Sequence, residues 1–471
     1  MSKNTVEKPN LRLLLNIALP MIVSQASETM MMFVDRIFLS WLGKNHISAA
    51  MSGGLTSFVF TSFFIGIVGY VNALAGQYYG ADRKVRCLQS TTQGIYLSLL
   101  FFPVLIAIIP LIKYTFILAG HTQEQINLEY SYFSMLMFGS VFILLRNALA
   151  GFFLGIGKTR IVMIANIAGM CINTPLNYIL IFGKLGFPAM GIHGAALGTI
   201  GGSFCITVIL LAAYVRHRIY RENTGRGIWN FNGILMKRLF RFGLPAGAEM
   251  FLNTFAFNIF ILLMHSMSED VAAAVTITFN YDMVAFIPMI GLSAAVTAMV
   301  AQQMGAGKIE GAKRATALAL WTGYTYAFVM MCLFVFGADV LVRIFAGGLG
   351  PGDEKLLDLA RWMLRLAAIY TLADVTQLVF AGALRGAGDT RWVMYISSIL
   401  HWMMAPGAYV LIKVVEAPPT IVWIYFICFV VLLGVAIMLR FMQGRWQTIT
   451  VIDEPAANMH DRTDHLHIQD Y

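Results

Sequence analysis

The sequence predicts an all-α integral membrane protein with twelve transmembrane helices, built as two six-helix bundles that are parallel repeats of one another. Three observations carry that reading. Of 471 residues, 58% are hydrophobic and only 12% charged, about half the charged share of a water-soluble protein, and the mean hydropathy is +0.72. Apolar runs long enough to cross a bilayer recur along the whole chain. Short motifs of the first half also return, in order, in the second.

Span 1, at about 13–42, follows the polar stretch "MSKNTVEKPNLR" directly. It is too long for the hydrophobic region of a signal peptide and no small-residue cleavage site follows, so an uncleaved helix is expected. Spans 2 to 6 are expected at about 47–74, 92–118, 128–155, 161–183 and 192–215. A basic, glycine-containing linker, 216–242, separates them from the second set, and its "IWNFNGILMKRLF" portion has the mixed apolar and basic character of an interfacial helix. Spans 7 to 12 follow at about 243–267, 271–300, 315–337, 360–384, 392–415 and 420–441. The division expected is therefore an N-terminal bundle at 1–215, a linker at 216–242, a C-terminal bundle at 243–441 and a polar tail at 442–471. The tail holds His460, His465 and His467, which read as part of a solvated segment.

The connections alternate in charge. One set carries Arg83, Lys84 and Arg86; Lys158 and Arg160; seven Lys and Arg from Arg216 to Arg241; Lys308, Lys313 and Arg314; Arg385 and Arg391; then Arg440 and Arg445. The other set holds little beyond Lys44, Lys184, Arg343 and Lys355. Because Lys and Arg are retained on the cytoplasmic side, both termini are expected there. The net charge of +9 is then a matter of topology, and nucleic acid drops out as a partner. The five cysteines, Cys87, Cys171, Cys205, Cys332 and Cys428, include no CxxC pair and read as free core thiols, neither a disulfide framework nor a metal site.

The repeat is explicit. "ALP" ending at Pro20 returns as "GLP" ending at Pro245, and "QYYGA" from Gln77 returns as "QQMGA" from Gln302, both at an offset of 225 residues. "GFFLGIGKTR" ending at Arg160 returns as "GALRGAGDTR" ending at Arg391, an offset of 231. Six spans per half is an even number, so both halves enter the membrane in the same orientation. Secondary transporters use such repeats, with substrate and ion sites near the repeat interface at mid-bilayer.

Five acids fall inside the spans: Glu28 and Asp35 in span 1, Glu249 in span 7, Asp282 in span 8 and Asp374 in span 10. A charged side chain at a helix centre costs roughly 2.5–3.5 kcal/mol on insertion scales, so it faces the bundle interior or a wet cavity. Glu28 and Asp35 are two helical turns apart and share one face. A buried acid that is neutral near pH 7 and ionises when a cation arrives is what an ion-coupled exchanger needs. The competing structural readings are pairing or wetting of Asp35 beside Arg36 near the outer end of span 1, an ion pair of Glu28 or Asp35 with Arg146, the basic residue well inside span 4, and a simple hydrogen bond to Asp282 from Tyr281. Pro20, Pro175 and Pro245 interrupt predicted helices and free carbonyls that can line a cavity.

These residues resemble the multidrug and toxic compound extrusion (MATE) transporters of the multidrug/oligosaccharidyl-lipid/polysaccharide exporter superfamily. The resemblance runs from Leu11 to about Arg440, through "ALPMI…VDRIFLSWLG", "GQYYGA", "GFFLGIGKTR", "NYILIFGKLGFPAMGIHGAALGT", "GLP" and "DVTQLVFAGALRGAGDTR". It implies two bundles around a central cleft, and export of small amphiphilic, often cationic compounds by alternating access against a proton or sodium gradient. Asp35 matches the family's span 1 acid, a protonation or cation site; Asp374 and Tyr370 match the span 10 acid and tyrosine of the sodium-linked cation site. The family's span 7 glutamate falls on Asn253, with Glu249 one turn earlier as its substitute. Asn177, beside Asn173, stands where some proton-coupled members carry an aspartate.

The ion-coupling residues expected are thus Asp35, Glu28, Glu249, Asp374, Tyr370 and Asn253. The expected cleft residues are Asn173, Asn177, Asp282, Gln377 and Arg146, with no catalytic residue, no metal ligand and no cofactor beyond the coupling ion, H+ or Na+. A monomer in the plasma membrane, a bacterial inner membrane by the same resemblance, is expected, its partners being the lipid bilayer and small amphiphiles. Two other functions compete. A flippase for lipid-linked oligosaccharides would line the cleft with Arg or Lys, of which the sequence offers mainly Arg146 and Arg365. An intramembrane aspartyl protease would use "NYDMVAF" with Asp282 and "RGAGDT" with Asp389, but the second lies in a basic loop and the PAL motif is absent.

Overall fold

A computed structural model describes residues 6–118, 122–345 and 354–452; His460, His465 and His467 lie outside them. The described residues form helices and no strand, and twelve helical segments are long and apolar enough to cross a membrane. In chain order the helices are α1 Leu11–Ser40, α2 Lys44–Gly69, α3 Val71–Gly80, α4 Lys84–Leu118, α5 Gln123–Gly155, α6 Thr159–Phe182 and α7 Ile192–Arg216. After the short α8 Arg218–Glu222 come α9 Gly233–His265, α10 Glu269–Gly305, α11 Ile309–Phe336, the short α12 Ala338–Phe345, α13 Glu354–Ala387, α14 Thr390–Tyr409 and α15 Pro419–Met442. The second span is α2 and α3 in line, broken only at Tyr70, and the eleventh is α14 with a π-helical turn, Val410–Val414.

Local chemistry sets the helix ends. Asn10, Thr122, Asn232 and Ser268 each accept a backbone N–H three residues on and start α1, α5, α9 and α10. Gly183, at φ +66°, ends α6 in the left-handed region that favours glycine. Pro20, Pro175 and Pro245 lie inside α1, α6 and α9, which run through them.

The linker departs from expectation. "GILMKRLFRF" forms no separate interfacial helix; it is the start of α9, which begins at Gly233 behind its Asn232 cap. The reason is burial, since Leu235 and Leu239 pack into the core of the N-terminal half. The rest of the linker is strapped to α4: Gln89 Nε2 donates to Gly227 O at 3.0 Å, Gln93 Nε2 to Asn230 O at 3.2 Å, Tyr96 Oη to Trp229 O at 2.5 Å, and Asn232 N to Gln93 Oε1 at 3.2 Å.

Within the N-terminal half α1 packs on α6, α2 on α5, α4 on α5, and α7 on α5 and α6; in the other half α9 packs on α14 and α13 on α10, α11 and α15. The halves meet where α1 and α3 cross α10 and α2 crosses α9. Each lends its first helix to the other: Leu14, Ile17 and Ala18 of α1 belong to the apolar core of the C-terminal half, as Leu235 and Leu239 of α9 belong to that of the N-terminal half. Glycine makes these crossings close, because a Cβ at Gly247 would stand 2.2 Å from Phe63 O and one at Gly66 2.5 Å from Gly247 Cα. Outward faces expose Leu100, Leu262 and Phe328, a surface suited to lipid. Cys171 and Cys428 are exposed too rather than core thiols, and no described cysteine is paired.

Candidate functional site

The intramembrane acids fall into three separate environments. In the first, Asp35 is 5% exposed in α1, facing α6 and α7. Asn177 Nδ2 donates to Asp35 Oδ1, and Thr199 Oγ1, 3.0 Å away, donates to Asp35 Oδ2. Asn177 also bonds the fully buried Asn173 at 3.3 Å. Gly198 makes room for this arrangement, since a Cβ there would stand 1.6 Å from Asn177 Oδ1. Neither Arg36 nor Arg146 is ion-paired with Asp35; two neutral amide and hydroxyl donors hold it. Thr199 Oγ1 is also 3.1 Å from Ala195 O. A threonine has one hydroxyl proton, so it serves either the carboxylate or that carbonyl.

Glu28 sits in the second environment. Arg146 of α5 grips it with two nitrogens, at 3.3 and 3.4 Å, and Asn166 Nδ2 of α6 donates to it at 3.0 Å. Asn166 also donates to Ser24, one turn back on α1. An ion pair of Glu28 and Arg146 therefore ties α1 to α5.

The third is a cavity of about 540 Å³ between α2/α3 and α9, α10, α13, α14 and α15. Glu249, Asn253, Asp282, Tyr370, Asp374 and Gln377 all line it, among the aromatic rings of Phe257, Phe279, Phe286, Phe426 and Phe429. Phe279 stands edge-on to Phe257 and Phe426 at ring distances of 5.3 and 5.8 Å. Asp282 and Asp374 line the same cavity wall as Tyr370, and neither acid has a basic partner among the described residues. Tyr281 does not serve Asp282, because its hydroxyl donates to Leu341 O at 2.7 Å. Asn253 Nδ2 donates to Ser397 Oγ at 2.7 Å, leaving its buried carbonyl oxygen toward the cavity wall without a partner.

Of the expected cleft residues, Asp282 and Gln377 line this cavity, whereas Asn173 and Asn177 surround Asp35 and Arg146 holds Glu28. Three residues were missed. Thr199 gave no signal beyond its place in span 6. Arg385, read as a loop charge, is inside α13 and reaches Glu249 at 2.7 Å across the cavity wall. His401 also lines the cavity, its Nδ1 2.8 Å from Ser397 O. Arg365, one of the basic residues weighed for a flippase, is half exposed and paired with Asp339 at 2.9 Å, away from the cavity. Asp389, the acid of the protease-like motif, is held at 2.7 Å by Arg440 in a pair buried on both sides, and no acid of the cavity joins it.

Comparison with known proteins agrees with this architecture. The MatE family profile matches residues 20–179 and 245–410, two copies set one repeat apart and together more than half of the chain. The probable multidrug resistance protein NorM of Pasteurella multocida is 27% identical over 440 residues, covering 91% of this chain and 92% of its own. The multidrug resistance protein MdtK of Photorhabdus laumondii is 28% identical over 413 residues, covering 85% and 87%. Among solved structures, a MATE protein in complex with MaL6 superposes with a TM-score of 0.84 at 18% identity, over 95% of this chain and 100% of that one. A MOP superfamily transporter from Pyrococcus furiosus, reported with a binding pocket of reversed polarity, gives 0.84 at 17% identity over the same shares. With the duplicated profile, the twelve spans and the enclosed acids in view, the chain belongs to the MatE family and is a multi-pass membrane transporter, not an enzyme.

Proposed function

We propose that this protein is an ion-coupled antiporter that exports small amphiphilic cations by alternating access. The observation that carries the reading is the polarity of the cavity. Three acids and five phenylalanine rings line it, and its one arginine is already spent on Glu249. Aromatic walls with two acids free of basic partners suit an apolar body carrying positive charge. A lipid-linked anionic head group would meet repulsion from Asp282 and Asp374 instead. The names of the relatives, multidrug resistance proteins, point the same way.

Coupling follows from the acids. A proton or sodium ion entering as cargo cancels one negative charge of the Asp282 and Asp374 pair and weakens the attraction that holds a cationic substrate. Asp35 supplies a second device. When charged, it takes the Thr199 hydroxyl proton; when protonated, it donates to Thr199 Oγ1, whose own proton turns to Ala195 O. Protonation thus changes how α1 is held on α7 without an unsatisfied group in either state. Substrate and ion drive exchange only through opposite preferences for the two access states. The basic loops support a cytoplasmic location for the end bearing both termini.

The test is transport of tetraphenylphosphonium by the protein in liposomes, under an imposed proton gradient and then a sodium gradient, with Asp35→Asn and Asp374→Asn beside it. Gradient-driven uptake that either variant abolishes supports the reading and assigns the half that couples. Uptake absent under both gradients, with a purified and folded protein, would sink it.

A further inference from the structure

"QYYGA" and "QQMGA" enter the sequence only as marks of the repeat, yet the structure gives their glutamines a common task. Helices α5 and α13 end in the same turn. Lys158 N closes on Phe153 O at 2.7 Å and Gly157 N on Leu154 O at 2.9 Å; one repeat later Asp389 N closes on Leu384 O at 2.8 Å and Gly388 N on Arg385 O at 3.1 Å. Each turn passes over one carbonyl at its helix end, Gly155 O in the first half and Gly386 O in the second, acceptors that need a partner from elsewhere. Both partners come from the opposite half. Gln302 Nε2 of α10 donates to Gly155 O at 2.7 Å, and Gln77 Nε2 of α3 donates to Gly386 O at 2.9 Å.

The backbones meet at the same place. A Cβ at Gly80 would stand 2.0 Å from Gln302 O, and a Cβ at Gly305 1.9 Å from Gln77 O. The pseudo-twofold of the repeat therefore passes between two crossed hydrogen bonds and two glycine contacts, at the end of the molecule that bears both termini. Higher up, the halves part around the acid-lined cavity.

We propose that Gln77 and Gln302 are a twin latch that holds this end closed, and that release of both bonds is the step that opens it. The proposal rests on the alternating-access reading. Each bond joins one half to the other, so no rigid-body separation keeps either. Two bonds off the axis fix rotation as well as separation, which a single bond on the axis would not. The latch is also reversible by construction. The Gln77–Gly386 bond is buried and the Gln302–Gly155 bond part-buried, and once the halves part, water entering from the terminal-bearing side takes over the hydrogen bonds of both amides and both carbonyls. The glycine contacts have no side chains to disentangle. Neither glutamine lines the cavity, so the latch acts on access and not on the substrate.

Two positions report opening. Arg160 and Arg391 are exposed repeat mates at the starts of α6 and α14. Spin labels on Arg160→Cys and Arg391→Cys, with the five native cysteines replaced, give a pulsed electron-resonance distance across this end in the full chain in lipid nanodiscs. Gln77→Met and Gln302→Met keep the side-chain bulk and remove the donor. Each single variant should raise the ratio of long to short distance by the same factor, roughly two- to tenfold, the range for one lost hydrogen bond. The double variant should show the product of the two. Gly80→Ala, which wedges the same crossing without touching either amide, should shift the ratio further. A double variant whose distances match those of the unaltered glutamines overturns the latch. If in addition no change of pH and no tetraphenylphosphonium ever populates a second distance, the alternating-access reading falls with it.

Discussion

The Glu249–Arg385 pair permits a test in which direction and asymmetry both matter. The carboxylate is 5% exposed and the guanidinium 29%, joined at 2.7 Å in the cavity wall. Arg385→Met leaves Glu249 as a buried charge with no cation, against two other acids in the same cavity. Removing one partner of a buried pair costs about 3–5 kcal/mol, and water in the cavity brings the loss here to about 2–4 kcal/mol. Glu249→Gln is milder. The arginine swings into cavity water and the new amide still offers it an oxygen, so about 1 kcal/mol is lost, in the range of an exposed pair. For a chain of this length each kcal/mol moves the melting temperature by about 1–2 °C. The assay is thermal unfolding of the purified protein in one detergent, followed by tryptophan fluorescence. Arg385→Met should fall at least twice as far as Glu249→Gln, and the double variant should recover most of the difference. Equal losses, or a larger loss in Glu249→Gln, would refute the argument that burial of the carboxylate decides the cost.

Three further outcomes follow from sites described above. The Asp389–Arg440 pair is 4% and 6% exposed, with the guanidinium stacked 4.8 Å over Trp392, so Arg440→Met should cost about 3–5 kcal/mol and lower the melting temperature more than Arg385→Met does in the same assay. Gly198→Ala puts a methyl group where Asn177 Oδ1 now lies; it should push the amide off Asp35 and reduce proton-driven transport toward the level of Asp35→Asn, while the protein still elutes as a single folded species. Burial first, and Lys158 second, holds His217 below its ordinary pKa, and its Nδ1 accepts the N–H of Ile219 at 3.3 Å. The unfolded chain then takes up the proton first, at about pH 6.5, so His217 stabilises above that pH and the contribution is lost as pH falls below it. Melting temperatures at pH 7 and pH 5 should differ less in His217→Gln than in the native chain.

Much of the fold was legible because a membrane writes it into one dimension. Twelve apolar runs and two in-order repeats needed no tertiary information, and the ends of "GFFLGIGKTR" and "GALRGAGDTR" are in fact the same turn twice. The five intramembrane acids could be singled out because a buried acid is costly wherever it sits, and the family resemblance picked Asp35 and Asp374 from among them. What pairs with each acid could not be read, since the partners are remote in sequence: Arg146 is 118 residues from Glu28, Arg385 is 136 from Glu249, and Thr199 is 164 from Asp35. The positive-inside pattern that oriented the chain also misled. It counts Arg385 as a loop charge, while α13 carries it as far as the cavity before ending at Ala387. The start of α9 was misplaced for a similar reason, because the basic residues of "GILMKRLFRF" mask two leucines buried in the opposite half.

The separation of Asp35 from the acid-lined cavity has a kinetic consequence. On the proposed function, a proton at Asp35, unlike a cation at Asp282 or Asp374, would not contend with a cavity substrate for the same atoms, so a species carrying both could exist. Exchange through one shared site would be strictly alternating, and excess of either ligand would expel the other completely. With Asp35 as the proposed proton site, antagonism would be partial and reciprocal: whatever factor its protonation took from substrate affinity, substrate would take from proton affinity. Titrating one ligand against the other should then level off at a finite limit, and the height of that limit measures how tightly α1 links the two halves.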